Sequence, residues 1–194
     1  MKKWMTMLAL AVSVWGGFGC SAHEPTVEKA ETEPGKILVA YYSWSGNTRF
    51  AAEQISKLTG GELFEIKPAE AYSSNYRTCV ERAKKEIAGK IRPELAEKVK
   101  DFSRYEVIFV GTPNWGSTMA PPVRSFLSDY DFSGKTVIPF VTHGGGGMAD
   151  CERDMREACP KAKFGKGGAF YGRGIRNAGT ALADWINETI SIRK

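Results

Sequence analysis

The sequence predicts a doubly wound α/β domain with a five-stranded parallel sheet in the strand order 2-1-3-4-5. Three observations support this prediction. Apolar, strand-like runs alternate with helical patterns from residue 36 onward. The runs at 36–42 and 106–112 are apolar almost throughout, as expected of strands that helices cover on both faces. Polar or glycine-rich segments follow the first, third and fourth runs, at the strand ends where such sheets bind ligands.

Five strands and at least five helices are predicted in this part of the chain. The strands are expected at 36–42, 62–66, 106–112, 136–142 and near 168–171. Apolar residues at helical spacing predict the segments that connect them. These residues are Ala51, Ile55 and Leu58, with a stop at Gly60; Tyr76, Cys79, Val80, Ala83 and Ile87; Leu95, Val99 and Phe102 in a short segment from Pro93; Val123, Phe126, Leu127 and Tyr130 after Pro121 and Pro122; Cys151, Met155 and Ala158; and Ala178, Leu182, Trp185, Ile186 and Ile190.

Residues 1–20 have the pattern of a secretory signal: two lysines, an apolar run too short to span a membrane comfortably, and small residues leading to Cys20. Gly17-Phe18-Gly19-Cys20 resembles a bacterial lipoprotein processing site, which implies lipidation of Cys20. The alternatives are an ordinary signal peptide or an uncleaved anchor. The polar residues 21–35 predict a flexible tether, which leaves 36–194 as the domain. We therefore expect an exported lipoprotein, anchored to a membrane of the cell envelope.

The distribution of charge along the chain does not favour a nucleic acid as a partner. The net charge is +5, and removal of Lys2 and Lys3 with the signal would leave +3. Basic residues alternate with acidic ones along the chain, as in the segment 81–86, and no dense basic run occurs. A nucleic-acid-binding domain would need such a patch.

The cysteines of the domain predict neither a metal site nor a redox motif. Cys79, Cys151 and Cys159 form no CxxC pair, and each falls on the apolar side of a predicted helix. Cys151 and Cys159 on one straight helix would lie about 12 Å apart, too far for a disulfide. Any disulfide therefore involves Cys79, or a helix that ends before Cys159. Small buried side chains are the simplest interpretation.

The loop after the first strand has the chemistry of a phosphate-binding site. It reads Ser43-Trp44-Ser45-Gly46-Asn47-Thr48 and leads directly into a helix. Hydroxyl groups, backbone N–H groups and a helix N-terminus can together bind a phosphate. No lysine is present, so the loop lacks the cation of a Walker-type nucleotide loop. These features predict a site for one monoester phosphate, such as that of flavin mononucleotide (FMN).

Two further loops are expected at the same edge of the sheet. Trp115, in Pro113-Asn114-Trp115-Gly116, offers a flat face on which a planar ring could stack, next to a glycine that permits close approach. The alternative is that Trp115 packs on a neighbouring loop or a helix end. The third loop, Thr142-His143-Gly144-Gly145-Gly146-Gly147, exposes backbone N–H groups to a ligand. Three such loops at one switch point predict a single ligand site.

These motifs resemble those of the flavodoxin family. The likeness extends from residue 36 to about 192, and its motifs are Ser43-Trp44-Ser45-Gly46-Asn47-Thr48 (SxSGNT), Gly111-Thr112-Pro113-Asn114-Trp115 (GxPxW) and Thr142-His143-Gly144-Gly145-Gly146-Gly147 (THGGGG). The resemblance implies non-covalent FMN. Ser43, Ser45, Gly46, Asn47 and Thr48 would bind the phosphate, and Trp44 would lie near the ring or ribityl chain. Pro113, Asn114, Trp115 and Gly116 would border one ring face, and Thr142, His143, Gly144 and Gly145 the pyrimidine edge.

The resemblance implies an electron carrier that exchanges electrons with partner proteins. Two alternatives remain open. One is an FMN-dependent NAD(P)H:quinone-type reductase, in which His143 could be the proton donor. The other is a non-catalytic, tethered module that holds little or no flavin. Two features depart from common flavodoxins: the third loop has His143 in place of a second aromatic residue, and the domain is not acidic. No metal is expected.

Overall fold

A computed structural model of the protein describes residues 36–191. The predicted signal, the tether and Cys20 lie outside this range. The strands are β1 (Ile37–Tyr41), β2 (Glu62–Glu65), β3 (Val107–Trp115), β4 (Thr118–Met119), β5 (Thr136–His143), β6 (Lys163–Phe164) and β7 (Gly168–Tyr171). The α-helices are α1 (Asn47–Thr59), α2 (Tyr76–Ala88), α3 (Pro121–Asp129), α4 (Cys151–Ala158) and α5 (Gly179–Ser191). Short 3-10 helices lie at Phe102–Arg104 and Gly172–Asn177.

The sheet has the predicted strand order. It runs β2-β1-β3-β5, and these strands are all parallel. The fifth position is divided between two strands that both pair with β5: β6 lies along its start, and β7 lies along its end. The short strand β4 turns back and pairs antiparallel with the end of β3. The doubly wound prediction is therefore confirmed, with the fifth strand in two pieces.

Helices cover the sheet on both faces because its strands alternate buried side chains in both directions. Leu38, Ala40, Ile108 and Val110 face the core formed with α2, α3 and α4. Ile37, Val39, Val107 and Phe109 face the core formed with α1 and α5. Every residue of β1 is buried, as the continuous apolar run predicted.

Local signals in the sequence set several helix ends. Gly60 ends α1, as predicted, and it adopts the left-handed conformation with φ of 71°. Pro121 and Pro122 occupy the first turn of α3, where a missing N–H costs nothing. Asn75 caps α2 by accepting a hydrogen bond from the Thr78 N–H, a signal that the sequence analysis missed.

The prediction of a short helix from Pro93 is wrong. The chain from 91 to 101 is not helical, and a single 3-10 turn, Phe102–Arg104, precedes β3. Leu95 instead pairs with Pro68, which lies just after β2. Leu95 and Val99 are partly buried against the core. An extended segment that covers the core can therefore show the same spacing of apolar residues as a short helix.

Two residues assigned to apolar helix faces are exposed. Leu58 is 53% exposed and Tyr76 is 71% exposed, while Thr59 is buried next to Leu58.

Cys159 caps the end of α4 rather than lying on its face. Cys79, Cys151 and Cys159 are all buried free thiols.

Candidate functional site

The three predicted loops leave the sheet from one edge. In the registers of β1, β3 and β5, Tyr41 pairs with Gly111, and Pro113 pairs with Thr142. Strand β1 leads into helix α1 on one face of the sheet, whereas strands β3 and β5 lead to helices on the other face. The loops 43–48, 113–118 and 143–149 therefore meet at the switch point between β1 and β3.

The first loop ends in a helix start that no side chain caps. The Gly46 N–H donates to the Ser43 hydroxyl at 3.1 Å, which closes the turn. Gly46 has φ of 86°, and a Cβ atom there would meet nothing within 4 Å. No acidic residue lies in the first turn of α1. The first N–H groups of the helix thus face an open region lined with hydroxyl groups, which is a favourable environment for an anion.

Thr48 has a different role from its neighbours in this loop. Its side chain is buried, and its hydroxyl lies 2.7 Å from the hydroxyl of Thr142, also buried. This contact joins the first turn of α1 to the end of β5. Thr48 therefore links the first and third loops, while the half-buried or exposed Ser43, Ser45 and Asn47 remain next to the open region.

Trp44 is fixed to the segment that follows β2. Its indole N–H donates to the Ser73 carbonyl oxygen at 3.0 Å. Its ring lies 6.2 Å from the ring of the exposed Tyr76 at the start of α2. The segment before α2 is thereby a fourth part of this edge, which the sequence analysis did not include.

The second loop is a tight hairpin that presents Trp115 at its start. Gly116 and Ser117 have φ of 58° and 73° between the paired residues Trp115 and Thr118. Two consecutive positive φ values match a type I′ turn. A Cβ atom on Gly116 would meet nothing within 4 Å, so this glycine also lies beside open space.

Asn114 holds the second and third loops together. Its side-chain N–H donates to the Gly147 carbonyl oxygen at 2.9 Å, and its side-chain oxygen accepts from the Ser117 N–H at 3.0 Å. The Asp150 N–H also donates to the Ser117 carbonyl oxygen at 2.9 Å. Asn114 is thus a structural bridge at the predicted ring face.

Trp115 rests on two buried tyrosines. Its ring meets Tyr42 edge-on at 5.5 Å and Tyr72 edge-on at 5.0 Å. The Tyr72 hydroxyl donates to the buried carboxylate of Glu86, which also accepts from Arg82 Nε at 2.7 Å. Burial, and then this hydrogen bond, raise the pKa of Tyr72 above its usual range. Trp115 therefore packs on neighbouring side chains, but it is only half-buried.

The third loop is open and fixes the ring of His143. Cβ atoms at Gly144, Gly145 and Gly147 would meet nothing within 4 Å. The Gly145 N–H donates to Nδ1 of His143 at 3.1 Å. In the neutral ring this leaves the proton on Nε2, so His143 can donate a hydrogen bond from that atom.

The structure adds Tyr171 to the candidate site. It ends β7 opposite His143, with ring centroids 6.0 Å apart, and is 48% exposed. Gly172 follows it, and a Cβ atom there would lie 2.8 Å from Nδ2 of Asn47. Tyr171 supplies an aromatic ring beside the third loop, although not from within it. The strand-like run at 168–171 could have indicated it, had its last residue been placed at the sheet edge.

Two classes of site are not found in residues 36–191. No group of three or more His, Cys, Asp or Glu side chains there could hold a metal ion. Within the same range, no helix combines the length and apolar character needed to cross a bilayer.

The fold and the loops together define an α/β protein with a candidate ligand site at the switch point of a parallel sheet. A flavodoxin family profile matches residues 36–189, so the chain belongs to the flavodoxin family.

Solved structures agree with this assignment. A candidate flavoprotein from Bacteroides eggerthii is 30% identical and superposes with a TM-score of 0.71, covering 80% of this chain and 98% of its own. One from Bacteroides uniformis is 31% identical, with a TM-score of 0.70, covering 80% and 99%. A Lactobacillus acidophilus flavoprotein in complex with FMN is 27% identical, with a TM-score of 0.61, covering 74% and 97%. No curated protein matches the chain.

Proposed function

We propose that this protein binds FMN without covalent linkage and transfers electrons between partner proteins. The observation that carries the proposal is the meeting of three loops whose glycines, except Gly146, border open space. Gly46, Gly116, Gly144 and Gly145 each have no atom within 4 Å of a Cβ position. Open loops that meet at a switch point leave room for a ligand there. The FMN complex of the related Lactobacillus protein supports the choice of ligand.

The residues present suit the two ends of FMN. Ser43, Ser45, Asn47 and the first N–H groups of α1 would hold the phosphate, because they are neutral donors at the positive end of a helix. Gly46 permits close backbone approach. Thr48 would act chiefly through Thr142, by fixing the phosphate loop to β5.

Aromatic side chains would hold the ring end. Trp115 would border one ring face, supported from behind by Tyr42 and Tyr72. Pro113, Asn114 and Gly116 would form the rest of that wall. Thr142, His143, Gly144 and Gly145 would line the pyrimidine edge, and Tyr171 would replace the aromatic residue that the third loop lacks. Nε2 of His143 would donate a hydrogen bond toward the cofactor.

Bound FMN would supply the one- or two-electron chemistry. The chain would contribute a fixed geometry and exclusion of water from one ring face.

We also propose that the domain is attached to a membrane through a lipid on Cys20, with residues 21–35 as its tether. The signal-like start of the sequence supports this. Replacement of Cys20 by Ser should move the protein from the membrane fraction to the soluble fraction. Unchanged membrane association of the C20S variant would overturn the lipid anchor.

The absorption spectrum of the purified protein, with and without added FMN, tests the cofactor. We expect a flavin spectrum and tighter binding of FMN than of riboflavin, which lacks the phosphate. Gly46→Ala should weaken FMN binding. Gly134→Ala is a matched control, because Gly134 has φ of 75° and equally open surroundings at the start of β5, the opposite sheet edge. Absence of FMN binding would overturn the proposal.

Steady-state kinetics distinguish the carrier from the reductase. The FMN-loaded protein should not turn over NAD(P)H with a quinone acceptor, while it should exchange electrons rapidly with a reductase. Multiple turnovers with the quinone would favour the reductase, and loss of this turnover in His143→Gln would assign the proton donor.

A further inference from the structure

We propose that the edge of the sheet around the candidate site is a docking surface for a redox partner with an acidic face. We define this rim by the segments that leave the carboxyl ends of the strands. The inference rests on the proposed function, because it identifies the kind of partner that would reach the same site. The rim comprises residues 43–49, 67–77, 113–118, 143–150 and 171–177.

The excess positive charge of the domain is concentrated on the rim. Residues 36–191 contain 22 Lys and Arg and 18 Asp and Glu, so the excess is four. The rim contains five of these cations and two of these carboxylates, so it holds three of the four excess charges. The sequence does not reveal this patch, because each segment contributes at most two cations.

Ion pairs neutralise every rim charge except three arginines. Both rim carboxylates pair with arginines outside the rim: Glu70 with Arg82 at 3.4 Å, and Asp150 with Arg153 at 2.9 Å. Two rim cations pair with carboxylates outside it, and these pairs are Arg49 with Glu65, and Lys67 with Glu97.

The three remaining cations are Arg77, Arg173 and Arg176. All three are exposed, and no carboxylate of the described residues forms an ion pair with them. They therefore remain available to the carboxylates of another molecule.

Arg173 and Arg176 lie beside the candidate site. They belong to the 3-10 helix Gly172–Asn177, which begins close to the first and third loops: a Cβ atom on Gly172 would lie 2.8 Å from Nδ2 of Asn47 and 3.5 Å from the His143 carbonyl oxygen. The guanidinium of Arg176 lies 5.1 Å from the centre of the Phe50 ring, on the first turn of α1. This contact holds a cation next to the predicted phosphate loop without neutralising its charge.

Exposed aromatic residues accompany these arginines. Tyr171 directly precedes the 3-10 helix Gly172–Asn177, and Tyr76 directly precedes Arg77 in the sequence. Tyr and Arg are enriched in protein interfaces, where they supply contact area and charge-assisted hydrogen bonds. Three free charges on the rim, of which two lie on one 3-10 helix, are fewer than the clusters of about four to eight cations that bind anionic membranes. An acidic protein is therefore the better fit.

Binding of an acidic peptide to the purified full chain tests the proposal without requiring FMN. The probe is a fluorescent deca-glutamate peptide, with deca-lysine as its counterpart. We expect the chain to bind deca-glutamate at low salt, and Arg173→Glu/Arg176→Glu to weaken this binding about tenfold. Lys161→Glu/Lys163→Glu is the matched control, because it makes the same charge change at exposed positions of the opposite sheet edge. It should retain most of the binding.

Electron transfer from the FMN-loaded protein, after its FMN has been reduced with dithionite and the excess removed, gives a second readout. Reduction of anionic ferricyanide should slow with rising salt, and the Arg173/Arg176 double variant should remove this dependence. A cationic cobalt(III) tris-phenanthroline acceptor should show the opposite trend. Equal deca-glutamate binding by the wild type and the two double variants would overturn the docking surface. Failure of FMN binding would overturn the proposed function instead, and the peptide result would still stand.

Two further outcomes assign the arginines elsewhere. If the double variant loses FMN affinity and keeps its peptide binding, the arginines serve the phosphate, and the docking proposal is overturned. If it loses binding to phosphatidylserine vesicles but keeps peptide binding, the surface contacts the membrane. Vesicle binding is compared among variants of the full chain, so that any contribution of residues 1–35 is the same in each.

Discussion

The hydroxyl groups of Thr48 and Thr142 lie 2.7 Å apart in the interior of the protein. This hydrogen bond connects the first turn of α1 with the end of β5, and so connects two of the three loops of the candidate site. Both side chains are almost fully buried. If a buried hydroxyl loses its hydrogen-bond partner, the free-energy penalty of removing that hydroxyl from water is no longer offset.

Thr142→Val is therefore expected to destabilise the protein by about 1–3 kcal/mol, because it leaves the Thr48 hydroxyl without this partner. The double variant Thr48→Val/Thr142→Val should lose less than the sum of the two single changes, since both polar groups are then absent. Urea unfolding of the four proteins measures this coupling. Additive losses would show that the two hydroxyl groups act independently.

Gly111 is the closest packed glycine at the base of the site. A Cβ atom there would lie 2.1 Å from Cζ of the buried Phe140 on the neighbouring strand. Gly111→Ala should therefore destabilise the protein by about 1–3 kcal/mol or more, through overpacking. Denaturant unfolding measures the change.

A second substitution tests whether Phe140 is the cause. Phe140→Leu in the Gly111→Ala background should recover part of the lost stability, because it shortens the clashing ring. Gly144→Ala is the control: its Cβ meets nothing within 4 Å, and its φ is not in the left-handed region. Its stability should stay within about 0.5 kcal/mol of the wild type. Absence of any rescue by Phe140→Leu would place the strain elsewhere.

Much of the site could be predicted from the sequence because it follows local patterns. The continuous apolar runs predicted buried parallel strands, and the loops after them had to meet at one edge. The supports of the site could not be predicted in this way. Tyr72 and Glu86 belong to a loop and a helix whose relation to Trp115 depends on tertiary packing. Tyr171 resembles an ordinary core aromatic until the register of β7 with β5 places it beside His143.

The rim charge is a second property that the linear sequence conceals. The alternation of Lys, Arg, Asp and Glu along the chain indicated solvated helix faces and no basic patch. Folding brings together at the rim five segments that are distant in sequence. Ion pairs neutralise the other charges of the rim, and Arg77, Arg173 and Arg176 remain unpaired. A sequence without a dense basic run can therefore still form a small, local surface of positive charge when it folds.

The Tyr72–Glu86 contact should stabilise the wall behind Trp115. Tyr72→Phe removes the hydroxyl that donates to the buried carboxylate and should lower stability by about 1.5–3 kcal/mol, because the bond involves a charged acceptor. The ring remains, so FMN affinity should change little. Tyr72→Ala removes the ring contact as well, and should lower both stability and FMN affinity. Unfolding curves and FMN titrations separate the two effects.

Tyr76→Phe provides the control for the hydroxyl, because Tyr76 is 71% exposed. It should leave stability within about 0.5 kcal/mol of the wild type. An equal loss in Tyr72→Phe and Tyr76→Phe would contradict the role of the Glu86 bond.

The second and third loops contain no carboxylate before Asp150, and Asp150 is paired with Arg153. A negative charge near the ring disfavours added electrons, so Ser117→Asp should lower the reduction potential of bound FMN. Asp is suitable here because it tolerates the positive φ of residue 117 better than most residues. Ser103→Asp, exposed before β3 at the opposite edge, is the control. Potentiometric titration measures both, and equal shifts would exclude a local effect.

The buried thiols should make the protein less stable in strong alkali. Burial raises the pKa of Cys151 and of Cys159 to about 12, and also raises that of Cys79. An unfolded thiol has a pKa of about 8.5, so the neutral thiols stabilise the folded state fully below that pH. This stabilisation should be lost between about pH 9 and pH 12, because the unfolded chain then releases protons that the folded chain retains. Urea unfolding across this range measures the loss, and Cys151→Ala/Cys159→Ala should show a shallower dependence. An equally steep dependence in the double variant would assign it to other groups. At pH 8, the three thiols should also resist a thiol reagent until denaturant is added.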